Sequence, residues 1–323
     1  MSRSTFPNGF KDGVTINNVP ITLTNPGEVF FVSNADVLLD KNQSVAGVDQ
    51  AGGGTFQRPF RTLDFANGQC TASRGDLIIV MPGHSETLST AIALAMDIAG
   101  VTVLGLGSGT LRPKFILDTA TTATIAVSAA NVSFKNIVFS ANFADIAELF
   151  TPTAVNLTCE DCKFTQEATN MNFVEIADTS TTDNEADGLA FIRCEWIEPD
   201  VATTSLVNVD ADLAGLKVHD CYIDLGVNGV LSAIAEIAAG KDLTNVDIRR
   251  NYVSRLVAAS AVQLMTFVDT TTTNTGIMED NRCRSLDILG ELLLSAGTNI
   301  SLYNNLSTSA VDLSGYVLPV IDA

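Results

Sequence analysis

Between residues 134 and 307 a six-residue phrase with an apolar first position and a polar third occurs seven times. Its copies are Phe134-Lys-Asn-Ile-Val-Phe139, Cys159-Glu-Asp-Cys-Lys-Phe164, Phe191-Ile-Arg-Cys-Glu-Trp196, Val218-His-Asp-Cys-Tyr-Ile223, Ile248-Arg-Arg-Asn-Tyr-Val253, Met278-Glu-Asp-Asn-Arg-Cys283 and Leu302-Tyr-Asn-Asn-Leu-Ser307. The fourth position reads Ile137, Cys162, Cys194, Cys221, Asn251, Asn281 and Asn305, at intervals of 25, 32, 27, 30, 30 and 24 residues. Self-similarity at a period of about 20–50 residues marks a solenoid or array.

Most copies follow an alternating run such as Val132-Ser-Phe134, Leu216-Lys-Val218 or Val246-Asp-Ile248. A period of two belongs to a strand with one buried face. Between phrases lies a second apolar run: Phe173-Val-Glu-Ile176, Leu206-Val-Asn-Val209, Ala233-Ile-Ala-Glu-Ile237, Leu264-Met-Thr-Phe-Val268, Leu292-Leu-Leu294. Thr, Asn, Asp and Gly fill the joins. Two or three short strands per unit of about 28 residues, with no helix-length pattern, predict an all-β chain wound as a parallel β-helix. Equivalent residues of adjacent coils then lie about 4.8 Å apart. Asn251, Asn281 and Asn305 are placed to form an amide ladder. Cys162, Cys194 and Cys221 continue the same column as small apolar residues.

Residues 1–35 stand outside the repeat, and residues 36–323 form the β-helix domain, with an N-terminal cap over about 36–75. In the arm, Phe6, Phe10, Val14 and Ile16 have no coil of their own to cover them. They either cap the open end of the solenoid, as repeat folds require, or dock on a partner assembly. Residues 28–32 read as the first solid strand, and 58–66 as the start of a short helix capped by Thr62, with Leu63, Phe65 and Ala66 facing the core. The Gly52-Gly53-Gly54 run lacks the context of a phosphate loop.

Two segments carry a resemblance. Pro59-Phe60-Arg61-Thr62-Leu63, followed by Gly75-Asp76, Val80, Pro82-Gly83-His84 and Glu86-Thr87, resembles the cap and first coil of the pectin-lyase-like β-helix superfamily. Phe6-Pro-Asn-Gly-Phe10 and Gly13-Val-Thr-Ile16 ahead of that cap are similar to virion structural proteins of tailed bacteriophages. The resemblance implies a right-handed parallel β-helix, trimeric, on a particle surface.

Charge and chemistry narrow the reading. A balance of 18 Lys+Arg against 37 Asp+Glu, net −19, argues against nucleic acid or an anionic membrane as partner. No apolar run reaches spanning length, and the first residues lack the apolar core of a signal peptide. Cys159 and Cys162 form a C-x-x-C, but no second pair or spaced His accompanies it, so packing is the expected role. No cofactor or metal is expected. Carboxylates stand at Glu160-Asp161, Asp183/Glu185/Asp187, Asp210/Asp212 and Glu279-Asp280, without a repeated pair in neighbouring units. His84 and His219 read as structural. The expectation is a non-enzymatic virion protein, a decoration or cement protein whose arm grips the major capsid protein. The alternative is a tailspike or adhesin that binds or degrades host polysaccharide.

Overall fold

The computed structural model describes residues 14–16, 19–21, 27–34, 47–90, 92–179, 181–198, 204–225, 232–255, 263–267, 273–285 and 299–308. Phe6, Phe10 and the 292–294 run lie outside them. Val14–Ile16 pairs antiparallel with Val19–Ile21, setting Val14 opposite Ile21 and Ile16 opposite Val19.

Apart from a two-stranded parallel pair, Leu213–Ala214 with Leu243–Thr244, the described strands from Val29 onward build three long parallel sheets of ten, nine and seven strands, each in sequence order. Every full coil gives one strand to each sheet. Of the coil holding the fourth phrase, Lys217–His219 joins the first sheet, Tyr222–Leu225 the second and Ser232–Ile237 the third. Stacking coils in this way leaves each one buried by its two neighbours. The chain is an all-β parallel solenoid, and its repeat unit is three strands.

The six-residue phrase is the corner between the first and second sheets. Its third residue is left-handed in all seven copies: Asn136 (φ 54°), Asp161 (53°), Arg193 (51°), Asp220 (56°), Arg250 (53°), Asp280 (55°) and Asn304 (46°). A β-branched or apolar residue is poorly tolerated there, while Asn and Asp accept it at low cost. That requirement explains the invariant polar centre. Sixth positions point inward, where Phe115, Phe139 and Phe164 stack at 6.0 Å per step and Trp196, Ile223, Val253 and Cys283 continue the line in register. Phe134, Phe150 and Phe191 fill the rest of the same interior and are fully buried.

The N-terminal end is closed by a short helix, Leu63–Asn67. Thr62 caps it by accepting the Phe65 N–H at 3.3 Å, and Leu63 and Ala66 are wholly buried. One close approach fixes a glycine: a Cβ on Gly105 would sit 2.3 Å from the Asn136 carbonyl oxygen.

Candidate functional site

The fourth phrase position stacks inside the corner as a hydrogen-bonded column. Asn251 Nδ2 donates to the Val218 carbonyl at 2.7 Å, Asn281 Nδ2 to Ile248 at 3.0 Å and Asn305 Nδ2 to Met278 at 2.9 Å. Each acceptor is the first phrase residue of the preceding coil. Each amide oxygen in turn takes the backbone N–H of the preceding column member: Cys221 to Asn251, Asn251 to Asn281 and Asn281 to Asn305. The thiols use the same acceptors. Cys162 lies 3.4 Å from the Phe134 carbonyl, Cys194 3.3 Å from Cys159 and Cys221 3.5 Å from Phe191. All six cysteines are free and buried, and burial pushes the Cys159 and Cys194 thiols up. A thiol here is a weak, compact substitute for the amide donor.

Just outside that column the third positions alternate in sign: Asp161, Arg193, Asp220, Arg250, Asp280. Arg193 grips Asp161 with two bonds, of 2.8 and 2.9 Å, and also meets Glu160. Arg250 grips Asp220 at 2.7 and 2.8 Å, and holds its carboxyl below the usual range. Asn304 Nδ2 closes the series on Asp280 at 2.5 Å. Bidentate pairs of this kind link one coil to the next.

A second corner, between the third and first sheets, uses carboxylates as backbone acceptors. Asp183 takes the Asp212 N–H at 3.0 Å, Asp212 the Asp242 N–H at 2.9 Å and Asp242 the Thr273 N–H at 2.6 Å. Asp187 takes the Ala214 N–H at 2.7 Å. Asp183 is solvent-exposed, and it and Asp187 staple successive coils, because each turn leaves an N–H unpaired. The other sequence candidates are also engaged: Glu160 with Lys135 and Arg193, and Glu279 with Arg249.

The carboxylates with chemistry available are others. On the outer face of the third sheet Glu148 is in register with Glu175 on the next coil, and Asp178 closes the Phe173–Asp178 strand. Burial pushes Glu175 up to about 7 against a 2.9 Å bond from Thr204, with Asp178, Asp210 and Glu148 adding to the rise. Burial, then Asp210 and Glu148, push Asp178 up to about 7 as well. Glu148 is raised by burial. Glu175 and Asp178 are thereby placed to exchange protons near neutrality, as a general acid or base must. No group of three His, Cys, Asp or Glu suited to a metal ion occurs among the described residues.

Both histidines sit in structural contacts. His84 Nδ1 accepts the Asn34 N–H at 3.0 Å, which leaves Nε2 to donate to Glu86 at 3.1 Å. Glu86 also accepts the Leu63 N–H at 3.1 Å, so the pair ties the first strand to the cap helix. His219 Nε2 lies 3.2 Å from Asp247 on the outer face of the first sheet.

No family model matches the sequence, and no curated protein matches it. Among solved structures the chain is similar to a rhamnogalacturonan lyase, at 14% identity and a TM-score of 0.47 over 91% of this chain and 90% of that one. It is also similar to an alginate lyase from Paenibacillus sp. str. FPU-7, at 13% identity and a TM-score of 0.37 over 73% of this chain and 96% of that one. At that distance the likeness is one of architecture.

Proposed function

We propose that this chain is a non-enzymatic structural protein of a tailed-bacteriophage particle, a decoration or cement protein on the outer head surface. The observation behind this reading is where the repeated polar residues go. The third and fourth phrase positions face the adjacent coils, through the amide column and the bidentate pairs, rather than a ligand. Such a chain is a stiff acidic rod. The similarity of its first residues to phage virion proteins supplies the particle. In this reading Phe6, Phe10, Val14 and Ile16 dock on the major capsid protein, and three copies associate into a homotrimer. Binding only the assembled shell stabilises it by mass action. The test is the copy number per purified virion against the major capsid protein. Hundreds of copies support the head role, a few to a few tens shift the protein to the tail or a vertex, and absence overturns the reading.

One observation favours a second reading, a tailspike or adhesin that cleaves host polysaccharide. Glu148 and Glu175 are in register on adjacent coils, Asp178 ends the same strand as Glu175, and burial pushes Glu175 and Asp178 up to about 7. Paired carboxylates of opposite protonation are what glycoside hydrolysis uses. This reading requires new reducing ends when the protein meets the host glycan, and their loss in Glu175→Gln.

A further inference from the structure

The first sheet changes character along its outer face. In the strand Leu77–Val80 the side chains of Ile78 and Val80 belong to the interior, so Leu77 and Ile79 point the other way. With Met81 and Leu106 they form a second buried apolar cluster, against which Phe31 and Leu104 pack. Phe31, Ile79 and Leu104 lie in one register line. The next two residues of that line are Lys135 and Glu160, which pair with each other. Apolar outward residues therefore occupy the first three coils and stop there.

An outward residue of a solenoid sheet ordinarily meets water, yet Ile79 is 0% exposed. Among the described residues, Phe56 lies against Phe31 at 5.7 Å, on one margin of the row, and is itself 39% exposed. The cap helix is on the interior side, with Leu63 and Ala66 in the main core. A cover for the row has to span three strands, about 10 Å, over the length of a short strand.

The hairpin Val14–Ile16/Val19–Ile21 has the complementary requirement. Residues directly opposite each other share a face of the ribbon. With Val14 opposite Ile21 and Ile16 opposite Val19, one face carries four apolar residues and the other Thr15 and Pro20. A two-stranded hairpin is marginal in water by itself. Residues 22–26 tether it to Gly27, a reach of about 20 Å at full extension. The chain then enters beside the row, where Asp76 accepts the Glu28 N–H at 2.8 Å. The segment 35–46 starts at the opposite end of that strand, next to the second sheet, where Asn34 accepts the Ser85 N–H at 2.9 Å. Its apolar residues Val37, Leu38 and Leu39 are consecutive, so they do not share one face of a strand.

We propose that in the free chain the hairpin lies across this outer row, with the face of Val14, Ile16, Val19 and Ile21 against Phe31, Ile79 and Leu104. The arm is then held by its own first coils. The inference concerns the chain off any particle and does not depend on the reading above. Where that reading has Val14 and Ile16 meet the capsid protein, docking first lifts the hairpin from the sheet.

The test uses the full chain without capsids. A diazirine-bearing amino acid at position 16, activated by light and mapped by mass spectrometry, should cross-link within the same molecule to the strands Val29–Val32, Leu77–Val80 or Thr102–Gly105. Ile16→Asp should uncover the row, so that an apolar fluorescent dye binds several-fold more than to the parent while circular dichroism shows the coils still folded. Phe6→Asp, ahead of the hairpin, should leave dye binding at the parental level. Cross-links to residues 35–46 or to a second copy, or equal dye binding by Ile16→Asp and the parent, would each overturn the proposal. No capsid enters either measurement, so their failure leaves the capsid reading to its own copy-number test.

Discussion

The backbone N–H of Cys221 donates to Asn251 Oδ1 at 2.9 Å, at the step where the corner column changes from cysteine to asparagine. The two residue types therefore belong to one structural series. From Asn251 onward each side chain donates backward to a carbonyl and accepts backward from an N–H. Before it, a sulfur replaces the donating half only. The column buries polar atoms, yet the hydrogen bonds keep those atoms satisfied, which is the condition for burying them at all.

The amide half of the column should dominate its stability. Asn281 accepts from the N–H and the side-chain amide of Asn251, and donates to Ile248 and Asn305. Asn281→Ala strands the buried Asn251 N–H and the Ile248 carbonyl, at about 1–3 kcal/mol per unpaired group. Cys194→Ala removes a weak donor and little volume, and should cost about 1 kcal/mol. Urea unfolding of the two variants should rank them in that order. Equal loss in both would mean that the amides contribute no more than volume.

Thiol chemistry gives an independent reading of the same interior. Burial raises Cys70 and Cys283 to about 12, and the Cys159 and Cys194 thiols also lie above their ordinary value. Only a thiolate is an effective nucleophile toward a disulfide reagent. Because all six thiols are also buried away from a reagent, they should stay unmodified in the folded chain and react together on denaturation, as a mass-shift series would record. Fast labelling of Cys159 or Cys162 in the folded chain would reopen the C-x-x-C pair as a redox site.

Much of the architecture is legible in the sequence because one phrase carries three requirements at once. Its alternation marks a strand, its third residue satisfies a left-handed corner and its fourth repeats in register. The signs at the third position, Asp161, Arg193, Asp220, Arg250, Asp280, stand in the sequence too, but their meaning depends on the coils being stacked. The raised carboxylates were not legible. Glu148 and Glu175 sit in strands whose surrounding residues share no phrase, and only the sheet register sets them side by side. The bond from Asn34 to His84 spans 50 residues and a segment without repeats, so no local pattern announces it.

That bond makes the cap sensitive to substitution. His84 and Glu86 together satisfy the N–H groups of Asn34 and Leu63. Glu86→Ala removes a buried acceptor from both Leu63 and His84, and should destabilise the cap by about 2–3 kcal/mol. Hydrogen exchange should then quicken over the strand Val29–Val32 and the helix Leu63–Asn67, leaving the strand Lys217–His219 protected. Uniformly faster exchange through all coils would show that the cap and the later coils unfold as one unit.

The third-sheet carboxylates make stability depend on pH in a definite direction. Glu175 and Asp178 are raised from ordinary values of 4.5 and 3.8 to about 7. Over that interval the folded chain holds more protons than the unfolded chain. Stability contributed by these groups is therefore present at low pH, falls as pH rises from about 4 to 7, and levels off above. Repulsion within a chain of net charge −19 slopes the same way, so the slope of the unaltered protein alone does not assign it. Glu175→Gln keeps the acceptor for Thr204 and removes the charge facing Glu148, Asp178 and Asp210. The variant should match the parent near pH 5 and exceed it near pH 8 by about 1 kcal/mol, a rise in Tm of about 2–4 °C. Identical thermal midpoints for the two proteins at both pH values would mean that Glu175 is hydrated and titrates as an ordinary surface carboxylate. The same measurement would then remove the support for a carboxylate site on that face.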